Sequence, residues 1–506
     1  MVSSFCWSCL TRLPTASPRP MLPPTLTAQR VAAFHTSSPL LALPPKKKAP
    51  GQQSGPKHRA STTFKMKKRK VTDRVRPPAI GERRALRKRI VLSNPNALEV
   101  ADMQDISADN MVDSRLRGSI LGLPVPMLDQ LRAVQAFKPK QGWSIFRRPG
   151  TVTRRESLEL GRLIDGISDK PEDKGKVVKR IVTGARGSGK TVHLLQAMSM
   201  AFTKEWVVVT VPECQDLVLA NTSYAPLSDE NPNVYVQNQA TAALLSRTVT
   251  ANQKVLSKLK VSREHPALKS PLKRDTTLEA LANLGIQDPA TAWPIFQALW
   301  AELTATSPAP GFEKDFASRP PMLVAVDGLA HWMKETKYRT AKYELIHAHD
   351  LVFVQHFLSL LKPGKNQQSA LPNGGVLLYA TSASNNPGVY SLDVALKRVA
   401  ARQNRVDPSS PDYPMPTAFS NPDQRVLAAF DSPKSSIPTE GTLELQTIAG
   451  VSREEARGFM EYFARSGLLR QQVSEEWVNE KWTLAGGGVI GELEKLGRRL
   501  TVPAQV

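Results

Sequence analysis

Acidic residues are missing from the first 72 positions of this 506-residue chain, and cysteine is scarce throughout, with three in all. Cys6, Cys9 and Cys214 cannot build a disulfide framework across such a length. That excludes a secreted, disulfide-stapled scaffold and fits a reducing compartment. Cys6 and Cys9 form a C-x-x-C, but two sulfurs without a neighbouring His or further Cys make a poor zinc site. Apolar runs stay well short of the ~18 residues a spanning helix needs, so no membrane span is expected. The apolar core of a secretory signal is missing too, because prolines stand at 14, 18, 20, 23 and 24.

What is present is positive charge, unevenly placed. The chain carries 68 Lys and Arg against 45 Asp and Glu, a net charge of +23. Residues 1–90 hold 20 of those bases and two acids, Asp73 and Glu82, a net of +18; the rest is nearly balanced at +5. The first stretch is rich in Ser, Thr and Pro, with Arg12, Arg19 and Arg30 ahead of Ala32-Ala33-Phe34-His35. That composition marks an organelle transit peptide, predicted over residues 1–35 and directing the chain to the mitochondrial matrix. Residues 36–115 read as a basic disordered arm, with Lys46-Lys47-Lys48, then Lys65 to Lys70, then Arg83-Arg84 and Arg87-Lys88-Arg89. Such a segment has too little apolar surface to fold alone. It would bind RNA phosphates through counterion release, tightly and without regard to sequence.

From about 116 the chain becomes globular, and its 41% hydrophobic content argues against wholesale disorder. Thr153 is the expected cap of a helix over 154–167. Apolar, β-branched runs at Val177–Thr183, Trp206–Val211, Met322–Val326 and Val376–Thr381 alternate with helical segments. This pattern predicts an α/β fold with a parallel sheet. The excursion over 213–320 is mostly helical in pattern. A nucleotide-binding domain is expected over 116–405 and a C-terminal module over 406–506.

The strongest motif is Gly184-Ala185-Arg186-Gly187-Ser188-Gly189-Lys190-Thr191, which matches G-x-x-x-x-G-K-[ST]. A strand pattern enters it, and a helical run beginning Val192-His193 leaves it. Glycines at these spacings let backbone N–H groups turn inward around phosphate oxygens, with the helix N-terminus behind them. Lys190 is expected to reach the β- and γ-phosphates and Thr191 to ligate Mg²⁺. All eight loop residues and Val192 are therefore candidate nucleotide contacts. Asp327, ending the hydrophobic strand that starts at Met322, is the candidate second magnesium group. The strand over 376–381 is expected between the other two, as in P-loop NTPases of the additional-strand type. That placement aims Thr381 or Ser382 at the γ-phosphate, or leaves them as strand-end caps; the sequence leaves both readings open.

Active enzymes of this type usually carry Glu directly after the strand-end Asp, to activate water. Here the residue is Gly328, with Glu335 and Asp350 as unselected substitutes. No catalytic residue is assigned, and slow or absent hydrolysis is expected. The guanine-reading N-K-x-D pattern is missing, so motifs do not separate GTP or GDP from ATP.

Beyond residue 440, Leu443–Ala449 reads as a short helix. Ser452 with Glu455 forms a capping box for a helix burying Ala456, Phe459, Met460 and Phe463 and stopping at Ser466-Gly467. Leu468–Val473 and Glu480–Leu484 are expected to pair as a hairpin before a helix over 489–500, which suggests a winged-helix-like module, with a plain helical lid on the nucleotide-binding core an equal alternative.

The ordered set resembles one family. Leu123-Pro124, Phe146-Arg147-Arg148-Pro149, Gly184–Thr191, Trp206–Pro212 and Leu323–Gly328 are similar to the mitochondrial ribosomal small-subunit protein S29 family, also called death-associated protein three. The resemblance covers roughly residues 120–390. It implies a GTP-binding protein with Mg²⁺ in the head of the mitochondrial small ribosomal subunit. Its implied partners are small-subunit rRNA, neighbouring ribosomal proteins and, through bridges, the large subunit. It also implies a pro-apoptotic role in animals. The competing reading is an active mitochondrial AAA-like or signalling ATPase that remodels a nucleic-acid or protein partner.

Overall fold

The computed structural model describes residues 90–499, apart from 229, 269–271, 274, 314–315, 363–369, 383–387, 418, 432–441 and 470. The expected transit peptide, the basic clusters and the Cys6/Cys9 pair lie outside the described residues. Among those described, no helix is long and apolar enough to cross a membrane.

Five parallel strands form the centre: β1 (Val177–Thr183), β2 (Val207–Val211), β3 (Met322–Asp327), β4 (Gly375–Ala380) and β5 (Leu443–Thr447). Their spatial order is β5-β1-β4-β3-β2. β4 therefore lies between the strand that enters the glycine loop and the strand that ends in Asp327, as the sequence predicts. β2, β3 and β4 read as nearly unbroken apolar runs because both faces of the sheet are covered, whereas β1 carries buried Lys179 and Arg180 at its middle. Alternate residues go to opposite sides. Ile181, Val209, Val324, Leu377 and Tyr379 join one core, while Val182, Val208, Leu323, Ala325 and Leu378 join the other.

Helices α1 (Arg155–Asp169) and α2 (Lys190–Thr203) cover the second face, with Leu160, Ile164, Leu194 and Leu195 in its core. The long excursion covers the first face with α3 (Asn238–Leu256), α4 (Leu278–Gln287) and α5 (Ala292–Leu303), joined by α6 (Val352–Leu361) and α7 (Tyr390–Gln403). Its folding is fixed internally by Glu302, fully buried, whose carboxylate accepts from the Ser262 hydroxyl at 2.6 Å and from Arg319 at 2.8 Å. A buried charge survives there because its oxygens are paired and hydrogen-bonded.

The structure departs from expectation in five places. The cap of α1 is Arg154, one residue beyond Thr153, because the Ser157 hydroxyl accepts from the Arg154 N–H at 3.3 Å. Residues 90–115 are not part of a solvated arm: Leu92, Ile106 and Met111 are buried in the second core. Met111 sits so close to α1 that a Cβ at Gly161 would fall 2.2 Å from its carbonyl oxygen. A helix, Gln424–Phe430, stands between residues 405 and 440, where the sequence pattern gives no element. Leu443–Thr447 is a strand rather than a helix, and the sheet thus draws on the chain beyond residue 405. Leu443 and Leu445 pack against the first core, and Glu444 pairs with Arg180 of β1 at 2.8 Å. Period-2 side chains satisfied by a neighbouring strand outweigh the weak helical pattern of a five-residue run.

The fifth departure is the C-terminal module. Among the described residues no strand follows Thr447, so the expected hairpin does not form and the helical alternative agrees with the structure. Three helices make up the module: α8 (Arg453–Arg465), α9 (Glu475–Leu484) and α10 (Ile490–Arg499). Ser474 accepts from the Trp477 N–H, and Glu475 and Glu476 occupy the first turn, both helix-starting signals. The Ser452–Glu455 capping box of α8 is present as expected. The module has a third core, with Ala456, Phe459, Met460, Phe463, Val478 and Leu493. Phe146 packs into it, 4.6 Å from Tyr462 and 4.8 Å from Phe463 between ring centroids.

Candidate functional site

The Gly184–Thr191 loop lies at the C-terminal end of β1 and opens directly into α2. Three of its glycines have left-handed backbones: Gly184 (φ +148°), Gly187 (φ +81°) and Gly189 (φ +99°), the last being the N-cap of α2. Side chains are disfavoured at such angles. A Cβ at Gly184 would also stand 2.4 Å from the Ile448 carbonyl oxygen. Ala185, Arg186 and Gly187 are exposed, whereas Ser188 is buried with an unpartnered hydroxyl. Val192 follows on the first turn of α2 and is half-buried.

Lys190 points back along the loop, its Nζ donating to the carbonyls of Gly184 at 2.7 Å and Ala185 at 2.8 Å. Burial lowers its pKa, with Asp327 opposing. Thr191 reaches across to the neighbouring layer and donates to Asp327 Oδ2 at 2.9 Å. Burial raises the Asp327 carboxyl above its ordinary value, opposed by Lys138, by the Thr191 hydrogen bond and by Lys190. A hydroxyl and a carboxylate so placed are hard oxygen donors of the kind Mg²⁺ takes. The turned glycine backbone, the unpartnered Ser188 hydroxyl, the ammonium of Lys190 and the free N-terminus of α2 suit a phosphate chain.

Thr381 stands one residue past β4. Its N–H and its hydroxyl both donate to the Val182 carbonyl, at 2.9 and 3.3 Å. Its hydroxyl thus caps the sheet beside the loop. Neither suggested substitute for a glutamate at 328 lies with these groups: Glu335 is exposed on a short hairpin strand, and Asp350 pairs with Arg425 at 3.2 Å.

Three contributors escape a sequence reading. Arg154, buried, donates to the Ser188 carbonyl and to the Ala449 carbonyl, both at 2.8 Å, tying the loop to the chain after β5. The module's last helix starts on the loop's outer side: the Gly491 N–H donates to the Gly187 carbonyl at 2.9 Å. Beyond β2, Lys138 meets Glu213 at 3.4 Å and donates to the Pro212 carbonyl. Only the third had a local signal, a carboxylate right after a buried strand. Among the described residues there is no cluster of three or more His, Cys, Asp or Glu able to hold a metal, and the site itself offers a hydroxyl and one carboxylate.

A family model described as mitochondrial ribosomal death-associated protein 3 matches residues 151–496. The small ribosomal subunit protein mS29 of Neurospora crassa is 37% identical, over 98% of this chain and 98% of its own length. The matched region spans the glycine loop, Asp327, the whole sheet and most of the C-terminal module, and the chain therefore belongs to the mitochondrial ribosomal death-associated protein 3 family.

Proposed function

We propose that the chain is a structural component of the mitochondrial small ribosomal subunit that holds a guanine nucleotide with magnesium and hydrolyses it slowly or not at all. Its place in the mitochondrion follows from the family. The nucleotide reading is carried by one observation, the 2.9 Å hydrogen bond from Thr191 to Asp327 at the mouth of the Gly184–Thr191 loop. In this reading the loop N–H groups and the α2 N-terminus hold the phosphates, and Lys190 leaves its carbonyl partners for the β- and γ-phosphate oxygens. Thr191 and Asp327 would hold the magnesium ion, which supplies charge neutralisation across the phosphates. Slow turnover is supported by Gly328, which offers no carboxylate at the usual position. The basic stretch of the N-terminal segment supports contacts with rRNA, and the module's outer surface is a candidate for ribosomal protein neighbours.

Gradient sedimentation of mitochondrial lysate, with nucleotide extraction from the fractions holding the chain, tests the reading. Co-migration with the small subunit together with guanine nucleotide is the expected result. A pool sedimenting apart from ribosomes, with rapid ATP turnover, would replace it with the remodelling ATPase.

A further inference from the structure

Gly328 does more than omit a carboxylate. Its φ is +91°, so the turn after Asp327 is left-handed and unsuited to a side chain. A Cβ there would stand 3.6 Å from both the backbone nitrogen and the Cβ of Cys214. The segment beside Gly328 is therefore the one that leaves β2. The pairing of β2 with β3 puts Val211 opposite Val326. Continued by two residues, that register sets Pro212 beside Asp327 and Glu213 beside Gly328. A carboxylate thus follows the end of the neighbouring strand, two residues past Val211.

Glu213 is half-buried, and its field reaches Asp327. It is also held. Lys138, from the loop after the helix Val125–Ala133, lies 3.4 Å from Glu213 Oε2 and is anchored by its bond to the Pro212 carbonyl. Lys138 acts on Asp327 as well, its charge opposing the rise that burial gives that carboxyl.

We propose that Glu213 is the carboxylate that orients the attacking water for a bound nucleoside triphosphate, and that Lys138 is a positioning residue whose ion pair restrains it. This rests on the nucleotide reading above and explains how a complete set of groups turns over slowly. In the step, the water oxygen bonds to the γ-phosphorus while the bond from that phosphorus to the β,γ-bridging oxygen breaks. Nucleoside diphosphate leaves with the bridging oxygen. The water proton passes to the Glu213 carboxylate and from there to the released phosphate.

The test uses the full chain with MgGTP and MgATP, and has two readouts. One is the ratio of triphosphate to diphosphate retained on the purified protein; the other is phosphate release in a single turnover. Glu213→Gln is expected to shift the retained nucleotide to triphosphate and to slow release at least about 100-fold, the usual scale for losing a general base. Its affinity for a non-hydrolysable analogue stays unchanged. Lys138→Met speeds release about tenfold, Lys138→Arg restores the slow rate, and adding Glu213→Gln to Lys138→Met cancels the gain. Unchanged ratio and rate in Glu213→Gln would overturn the assignment, as would a Lys138→Met gain that survives in the double variant. If neither nucleotide binds the wild-type chain, the nucleotide reading itself fails. Binding without any response to Glu213→Gln removes the present assignment alone.

Discussion

The glycine loop is held from two sides that differ in kind. Beneath it, β1, β4 and β3 are buried runs locked by mutual backbone pairing in register, each strand's place set by its neighbours along its whole length. Above it, the C-terminal module rests on a small aromatic core, a few close backbone approaches and one buried carboxylate, Glu455. The contrast teaches that ligand groups are fixed by the cooperative layer, while the covering layer is independent enough to be loosened alone.

The most damaging test of that contrast is Phe463→Ala. Phe463 is fully buried at the centre of the module core, and its truncation should cost about 3–5 kcal/mol. Limited proteolysis should then cut within 453–499 while the sheet stays protected; simultaneous loss of both would show one cooperative unit. Lys190→Ala tests the lower side. It should weaken MgGTP or MgATP binding about 100-fold by calorimetry, with unchanged far-UV circular dichroism.

Gly458→Ala probes how the module docks. A Cβ at Gly458 would fall 2.0 Å from the Gly118 carbonyl oxygen, so the substitution should push α8 off the body at a cost of about 1–3 kcal/mol. Faster hydrogen exchange confined to α8–α10 is the expected signature.

Glu455 gives the module a pH dependence. Burial alone would raise its carboxyl pKa, but backbone N–H donors from Ser452 and Arg155 and the Arg117 guanidinium outweigh that and hold it below the usual value. The folded pKa is then lower than the unfolded one. Its stabilisation is full above about pH 4.5 and is lost as pH falls through the folded value. Glu455→Gln should cost about 1–2 kcal/mol at pH 7 and flatten the acid limb of module release. Smallest is Asp327→Asn, where the sign reverses. Burial raises that pKa, so the ionised carboxylate at neutral pH destabilises the nucleotide-free fold. The amide should raise the melting temperature by about 1–3 °C and abolish the extra stabilisation by Mg²⁺.

The same contrast governs what could be read from sequence. β1, β2, β3 and β4, the loop and Asp327 were legible because buried parallel strands and the phosphate-loop pattern are written in consecutive residues. β5 was not: it is a partly exposed edge strand, and its conformation is decided by Arg180 and by Gln403, whose side chain accepts from the Leu445 N–H at 2.9 Å. Its helix-or-strand choice is made by partners 40 or more residues away. In the module, the capping box of α8 is readable, whereas α9 buries Val478 alone and so offers little helical periodicity to read. Arg154 and Lys138 act through groups that only the fold brings near, and Glu213 becomes meaningful only through the register of β2 with β3.

The late arrival of β5 has a consequence for how the molecule is assembled. Chains are made from the N-terminus onward, so β1 exists long before Leu443–Thr447 can pair with it. Until then β1 offers a bare edge of unpaired amides, open to stray pairing. The same delay withholds the Ile448 carbonyl that backs Gly184 and the Ala449 carbonyl that receives Arg154. A chain broken off before residue 443 would keep every residue of the loop and still lack its rear wall. An unfinished chain therefore differs from a finished one at two places at once, an open sheet margin and an unsupported loop.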